Sequence, residues 1–329
     1  MATLNNENQG LIDPDRSLPG FRYLLDPDLL IDELSLQSVG KPANSLRLDY
    51  IRYKPGMSCI GRYWLSSSGG DQLAYAKVFG TETRRKLEKI TRRADVGYLG
   101  ANGLKIMPDK ALLFSRFPTD MRLRSIARLE DREAAERLIR RIFDNDDAWL
   151  GSVYQILNYK PERRLVCKIQ RPDGRCATAK FYTASEFPHT LHLIRSKTFN
   201  KELPLPHRIG GSRKHRVHAF DWLPGLSLRE YSLDPKSDAS NYASAGSLLA
   251  RLHASETRGL RRPEDNTLPA ALRALADQLA FILPDVTATA MSLSRRLGRH
   301  AVPLGSGRLC AIHGDFYDKQ LVCDSGALS

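Results

Sequence analysis

Tyr154-Gln155-Ile156-Leu157-Asn158-Tyr159-Lys160-Pro161-Glu162-Arg163-Arg164-Leu165-Val166-Cys167-Lys168-Ile169 reads as two strands around a Tyr-Lys-Pro turn. A second turn, Arg171-Pro172-Asp173-Gly174, leads into a third strand, Ala177-Thr178-Ala179-Lys180-Phe181-Tyr182. The same pattern stands about a hundred residues earlier. There Asp49-Tyr50-Ile51-Arg52-Tyr53-Lys54-Pro55-Gly56-Met57-Ser58-Cys59-Ile60-Gly61-Arg62-Tyr63 is followed by a Ser/Gly turn and Ala74-Tyr75-Ala76-Lys77-Val78-Phe79. The likeness continues upstream. Asp15 to Leu18 and Leu24-Leu25-Asp26 parallel Asp120 to Leu123 and Leu129-Glu130-Asp131, each as a short helix entering the strands. A triplet can recur by chance, but aligned flanks on both sides point to duplication of one supersecondary unit, in too few copies for a solenoid. Alternating strands with tight turns predict an antiparallel sheet in each copy.

Downstream of the second copy, Leu203-Pro204-Leu205-Pro206 precedes a strand-like Arg216 to Leu223, which Pro224-Gly225 stops. Helices follow. Tyr242 to His253 places Ala245, Leu248, Leu249 and Leu252 on one face at spacings of three and four. Leu268 to Leu283 is a second amphipathic stretch, broken by Pro284, and Val286 to Leu297 a third. His253 reads as a packing or capping residue. An apolar run, Leu309-Cys310-Ala311-Ile312, is expected to be a strand leading into His313-Gly314-Asp315-Phe316-Tyr317-Asp318-Lys319-Gln320.

The 329 residues suffice for two or three domains, and 42% hydrophobic with 26% charged residues is ordinary for a globular protein. No apolar run is long enough for a bilayer, and Met1 to Gly20 has no basic-then-apolar leader pattern. The expected location is the cytoplasm. Five cysteines without metal-ligand spacing read as structural thiols, with Cys59, Cys167 and Cys310 in strand-like or apolar stretches. The net charge of +13 comes from short clusters scattered along the chain, such as Arg84-Arg85-Lys86 and Arg213-Lys214-His215-Arg216. Without interleaved aromatics or a finger signature they read as solvated faces, and nucleic acid is not the expected partner.

Ala179-Lys180-Phe181-Tyr182, Trp222-Leu223-Pro224-Gly225, Leu248 to His253 and His313-Gly314-Asp315 with Gln320 occur in an order that resembles the aminoglycoside phosphotransferase / choline kinase-like family of small-molecule kinases. The resemblance runs from about residue 150 to the end. It implies an α+β, bilobal protein-kinase-like fold, here with a duplicated antiparallel-sheet N-lobe and an incomplete helical C-lobe. The expected division is 1–116 for a degenerate copy of the small lobe, 117–223 for the kinase-like N-lobe and 224–329 for a partial C-lobe.

The resemblance also implies ATP, Mg²⁺ and phosphotransfer to a hydroxyl of a sugar, aminoglycoside or amino alcohol, with no membrane partner. Asp315 would take the hydroxyl's proton, His313 brace the loop and Gln320 offer an amide oxygen to the metal. Lys180 would meet the nucleotide's phosphates, with Arg163 and Arg164 as substitute point charges in the glycine-poor turn. Phe220, Trp222 and Leu223 would line the hinge beside the adenine. For Lys77 and Lys180 alike, a solvated edge-strand lysine is the competing reading, and Lys180 is the candidate because its copy leads into the rest of the kinase-like chain.

Gln320 stands where the family usually has Asn, and the Glu partner of Lys180 is unassigned between Glu186 and Glu202. The second metal-holding Asp would fall beyond Ser329, so the chain is expected to be truncated. The alternative is a non-catalytic kinase-like binding or regulatory module.

Overall fold

The computed structural model describes residues 15–36, 44–95, 103–195, 203–234, 240–255, 257, 260, 267–300, 310–324 and 327–328. Two compact units emerge. One comprises 1–130, the turn Lys160–Glu162 and 267–301. The other comprises 131–159, 163–266 and 302–329.

The duplication is visible in the topology. Strands β1 (Ser45–Lys54), β2 (Ser58–Ser67), β3 (Gly70–Phe79), β4 (Leu104–Met107) and β5 (Leu112–Arg116) form an antiparallel sheet in the order β1-β2-β3-β5-β4. Strands β6 (Val153–Lys160), β7 (Arg164–Gln170), β8 (Cys176–Tyr182), β9 (Arg208–Ser212) and β10 (Val217–Asp221) repeat it as β6-β7-β8-β10-β9. Register matches residue by residue. Lys77 pairs with Ile60 and Leu113, and Lys180 with Val166 and His218.

In each copy the third strand is split between its faces, as a period of two demands. Ala74, Ala76 and Val78 are buried in the first unit against Leu18, Leu24, Leu30 and Leu34, which lie on or just before α1 (Phe21–Leu25) and α2 (Pro27–Leu36). Ala177, Ala179 and Phe181 are their buried counterparts in the second. Alanines at these positions let a helix lie close to the sheet.

The caps repeat too. Asp26 Oδ1 accepts from the N–H groups of Asp28 and Leu29 at the start of α2. Helix α3 (Arg84–Asp95) follows β3, and α4 (Arg132–Ile142) stands between β5 and β6 in the chain. Asp131, which aligns with Asp26, accepts from Ala134 N–H at 2.7 Å at the start of α4. A carboxylate at this position satisfies donors that the first helical turn leaves open.

The paired acids Asp15 and Asp120 have the same task. Asp15 is hydrogen-bonded by Ser17, accepts from Tyr53 OH at 2.6 Å and from Gly56 N–H at 2.9 Å. Asp120 accepts from the N–H groups of Arg122, Leu123 and Glu162 at 2.7 to 2.8 Å. Each acid therefore holds the turn after a Tyr-Lys-Pro triplet. Both turns carry a left-handed residue, Gly56 at φ +69° and Glu162 at φ +55°.

The second unit also contains α5 (Phe187–Arg195), α6 (Leu228–Tyr231) and α7 (Ser240–Ala254), with a small sheet β11 (Leu226–Ser227), β12 (Val322–Asp324) and β13 (Ala327–Leu328) in that order. Helices α8 (Thr267–Ile282) and α9 (Thr287–Arg299) form a hairpin around the 3₁₀ turn Pro284–Val286.

Three expectations need correction. Cys310 to Ile312 forms no strand, and Leu309 lies outside the described residues. Cys310 is exposed, unlike Cys59 and Cys167, whose thiols burial pushes up to about 12. His253 is exposed in the last turn of α7, which does not fit a packing residue and leaves the capping alternative. No described helix is long and apolar enough to cross a membrane.

Candidate active site

Lys180 sits mid-strand on β8 with its side chain on the face opposite the buried alanines. Its Nζ lies 5.3 Å from the centre of the Phe220 ring. Arg164, at the start of β7, and Tyr182 share this face, as register requires: Arg164 pairs with Tyr182, and Val166 with Lys180. Burial lowers the Lys180 pKa, and the Arg164 guanidinium lowers it further. Two cations side by side in a partly desolvated setting repel, and a bound anion relieves both. Among the described residues no carboxylate pairs with either. Glu186 is turned to Arg163, 3.5 Å away, and Glu202 lies outside the described residues.

Behind Lys180 is His218, which has no exposed surface. Its ring stacks on Phe187 of α5 at 4.6 Å and lies near Tyr182 and Phe220. Burial, then the charge of Arg208, lowers its pKa to about 4. The imidazole is thus neutral at ordinary pH.

At the end of β10 and just beyond it, Phe220, Trp222 and Leu223 are half-buried. Lys168 Nζ lies 4.6 Å over the Trp222 ring. The Asp221 N–H donates to the His207 carbonyl at 2.9 Å, and Trp222 and Leu223 lie beyond the last strand residue.

The loop from His313 to Gln320 is exposed at its tip and anchored at its foot. Ile312 to Asp315 are exposed, with Gly314 at φ +77°. The His313 ring meets the edge of Phe316 at 5.6 Å, and Phe316 packs on a cluster of Leu228, Ala245, Leu321 and Cys323. Leu228 N–H donates to the Leu321 carbonyl at 2.9 Å. Between these anchors Asp318–Gln320 forms one 3₁₀ turn, closed by the Gln320 N–H on the Tyr317 carbonyl. Asp315 is exposed to solvent.

The sequence pattern of the phosphotransferase enzyme family matches residues 145–328, more than half of the chain. The chain belongs to this family. A solved structure described as glucosamine kinase in complex with glucosamine, ADP and inorganic phosphate is similar at 14% identity, with a TM-score of 0.33 over 99% of this chain and 72% of that one. No curated protein sequence matches the chain significantly.

Within the phosphotransferase's second unit the structure gathers Lys180 and Phe220 on one sheet face, with Trp222 and Leu223 at the end of that sheet, and His313, Asp315 and Gln320 on one anchored loop. No described hydrogen bond or ion pair joins the two sets. Of the two arginines that the sequence offered for the phosphates, Arg163 turns to Glu186 and Arg164 stands by Lys180. Strand parity separates the two arginines. Arg164 pairs with Tyr182, two residues from Lys180, and so projects to the same face. His218 was missed, and the only sequence signal for it was a polar residue amid the apolar β10.

Proposed function

We propose that this chain is an ATP-dependent phosphotransferase acting on a hydroxyl of a small molecule, in the class of sugars, aminoglycosides or amino alcohols. The observation that carries the reading is the uncompensated pair Arg164 and Lys180 on the sheet face, which calls for a polyanion. In the reaction, the substrate oxygen attacks the γ-phosphorus, the bond to the β–γ bridging oxygen breaks, and ADP leaves. The hydroxyl proton passes to the Asp315 carboxylate. Lys180 and Arg164 balance charge on the phosphates, and Trp222 and Leu223 flank the base. Such catalysis is mostly positioning and charge stabilisation.

The family also implies Mg²⁺. Among the described residues no three His, Cys, Asp or Glu side chains converge as metal ligands. Gln320 offers one amide oxygen and Asp315 one carboxylate, both on an exposed loop. That donor set does not fit a metal held by the protein alone, and no step is assigned to it.

The test is ADP binding and ATP turnover with a panel of amino sugars and amino alcohols. Lys180→Met is expected to weaken ADP binding by about 10- to 100-fold, the worth of a charge-assisted contact. Asp315→Asn should keep ADP binding and lower turnover by about 10²- to 10⁴-fold, the range for losing a general base. Unchanged turnover in Asp315→Asn would refute the assignment. A non-catalytic binding module is the second reading, favoured by the scant metal ligands. ADP binding by the wild type with no turnover on any hydroxyl substrate would support it.

A further inference from the structure

Lys77 holds in the first sheet the position that Lys180 holds in the second, with the same strand neighbours in register. Its surroundings differ in one respect. Lys77 Nζ lies 2.5 Å from Glu162 Oε2, and that carboxylate is only 3% exposed. Glu162 belongs to the turn Lys160–Glu162, which groups with the first unit, while β6 and β7 on either side belong to the second. The turn is pinned twice: the Glu162 N–H donates to Asp120 at 2.8 Å, and the Glu162 side chain reaches Lys77.

The corresponding residue in the first copy is Gly56, whose left-handed φ is natural for glycine. A glutamate in that conformation is strained relative to glycine. A buried carboxylate is costlier still unless paired. The ion pair offsets both. Two residues beyond Glu162 stands Arg164, the neighbour of Lys180.

Resting on the nucleotide reading above, we infer that Lys77 is a positioning residue and not a second nucleotide-binding lysine: its ion pair with Glu162 holds the β6–β7 turn so that β7 begins in register and Arg164 stands beside Lys180. The chain itself supplies the anion at the first lysine. At the second, the anion comes from solution.

The experiment is ADP titration by calorimetry, with thermal melts in parallel, on the full chain and single variants. Wild type is expected to bind one ADP, not two. Lys77→Met and Glu162→Gly are each expected to weaken ADP by about tenfold, a change of about 1.4 kcal/mol, although neither residue would touch the nucleotide. Glu162→Gly is the sharper probe, since it relieves the backbone strain while removing the side chain that holds Lys77. Lys77→Arg should return affinity to within about twofold of wild type, because the guanidinium preserves the charge. Asp26→Ala, a helix cap in the same unit, should lower the melting temperature and leave ADP affinity alone.

Normal ADP affinity in Glu162→Gly, with affinity lost in Lys180→Met, would overturn this inference and spare the nucleotide site. Two ADP molecules per wild-type chain would overturn it as well. A wild type that binds no ADP, or a Lys180→Met variant that binds it normally, would remove the nucleotide reading and the inference together.

Discussion

At His218 the chain buries an imidazole that its own first copy replaces with Leu113, also fully buried. Phe187, Tyr182 and Phe220 pack around the ring, and Lys180 is its partner in the strand register. The Arg208 Nε donates to its Nδ1 at 3.4 Å, leaving Nε2 buried without a described partner. No carboxylate is in contact to stabilise an imidazolium. The folded pKa is about 4 against an ordinary 6.5, so between these values the unfolded chain binds a proton that the folded chain does not. Stability from this residue is therefore full above about pH 6.5 and falls as pH drops towards 4, by up to about 3 kcal/mol. His218→Leu, copying the first sheet, is expected to flatten that acid limb. Urea denaturation at a series of pH values between neutral and 4 checks it. An unchanged pH slope in the variant would assign the acid sensitivity elsewhere.

Among the elements, the short β11–β12 ladder fixes the loop that carries Asp315. It pairs Leu226 with Cys323 and Ser227 with Val322. Gly225 enters it at φ +109°, and a Cβ there would stand 2.1 Å from the Cys323 carbonyl oxygen. Gly225→Ala is thus expected to part the ladder, free Leu321 from Leu228 and reduce turnover more than ADP affinity, as kinetics beside calorimetry would show. The Pro224-Gly225 break was legible as a stop, but its role as a packing point for the chain a hundred residues on was not, since nothing local announces that partner. The three strands of each copy and α7 to α9 were legible because alternation and three-four spacing persist over whole elements. Strands β4 and β9 were not. Each is short, and Arg208-Ile209-Gly210-Gly211-Ser212 offers no alternation and two glycines, so pairing with β10 and not propensity makes it a strand. The opposite error occurred at Cys310 to Ile312, where an apolar run found no partner strand. Of the candidate site, Lys180 and the Asp315 loop are proposals that order and spacing suggest, whereas which of Arg163 and Arg164 stands by Lys180 depends on the side of β7 each faces.

For the molecule as a whole, the duplication extends below topology to individual carboxylates. Asp15 and Asp120 each collect three hydrogen bonds and close equivalent turns. Asp15→Ala and Asp120→Ala are accordingly expected to cost similar amounts, about 2 to 4 kcal/mol from donors left without an acceptor. Denaturation midpoints measured side by side test this, and a loss confined to one variant would show that the copies bear unequal load. The two lysines have diverged where the acids have not. An amine whose pKa is lowered by burial and a neighbouring cation gives up its proton more readily to become a nucleophile, whereas one clasped by a carboxylate is shielded. Acylating reagents at mildly alkaline pH should therefore modify Lys180 ahead of Lys77, with ADP slowing the reaction at Lys180 alone, and peptide mass spectrometry would show the chain's two halves chemically distinguishable at one equivalent atom.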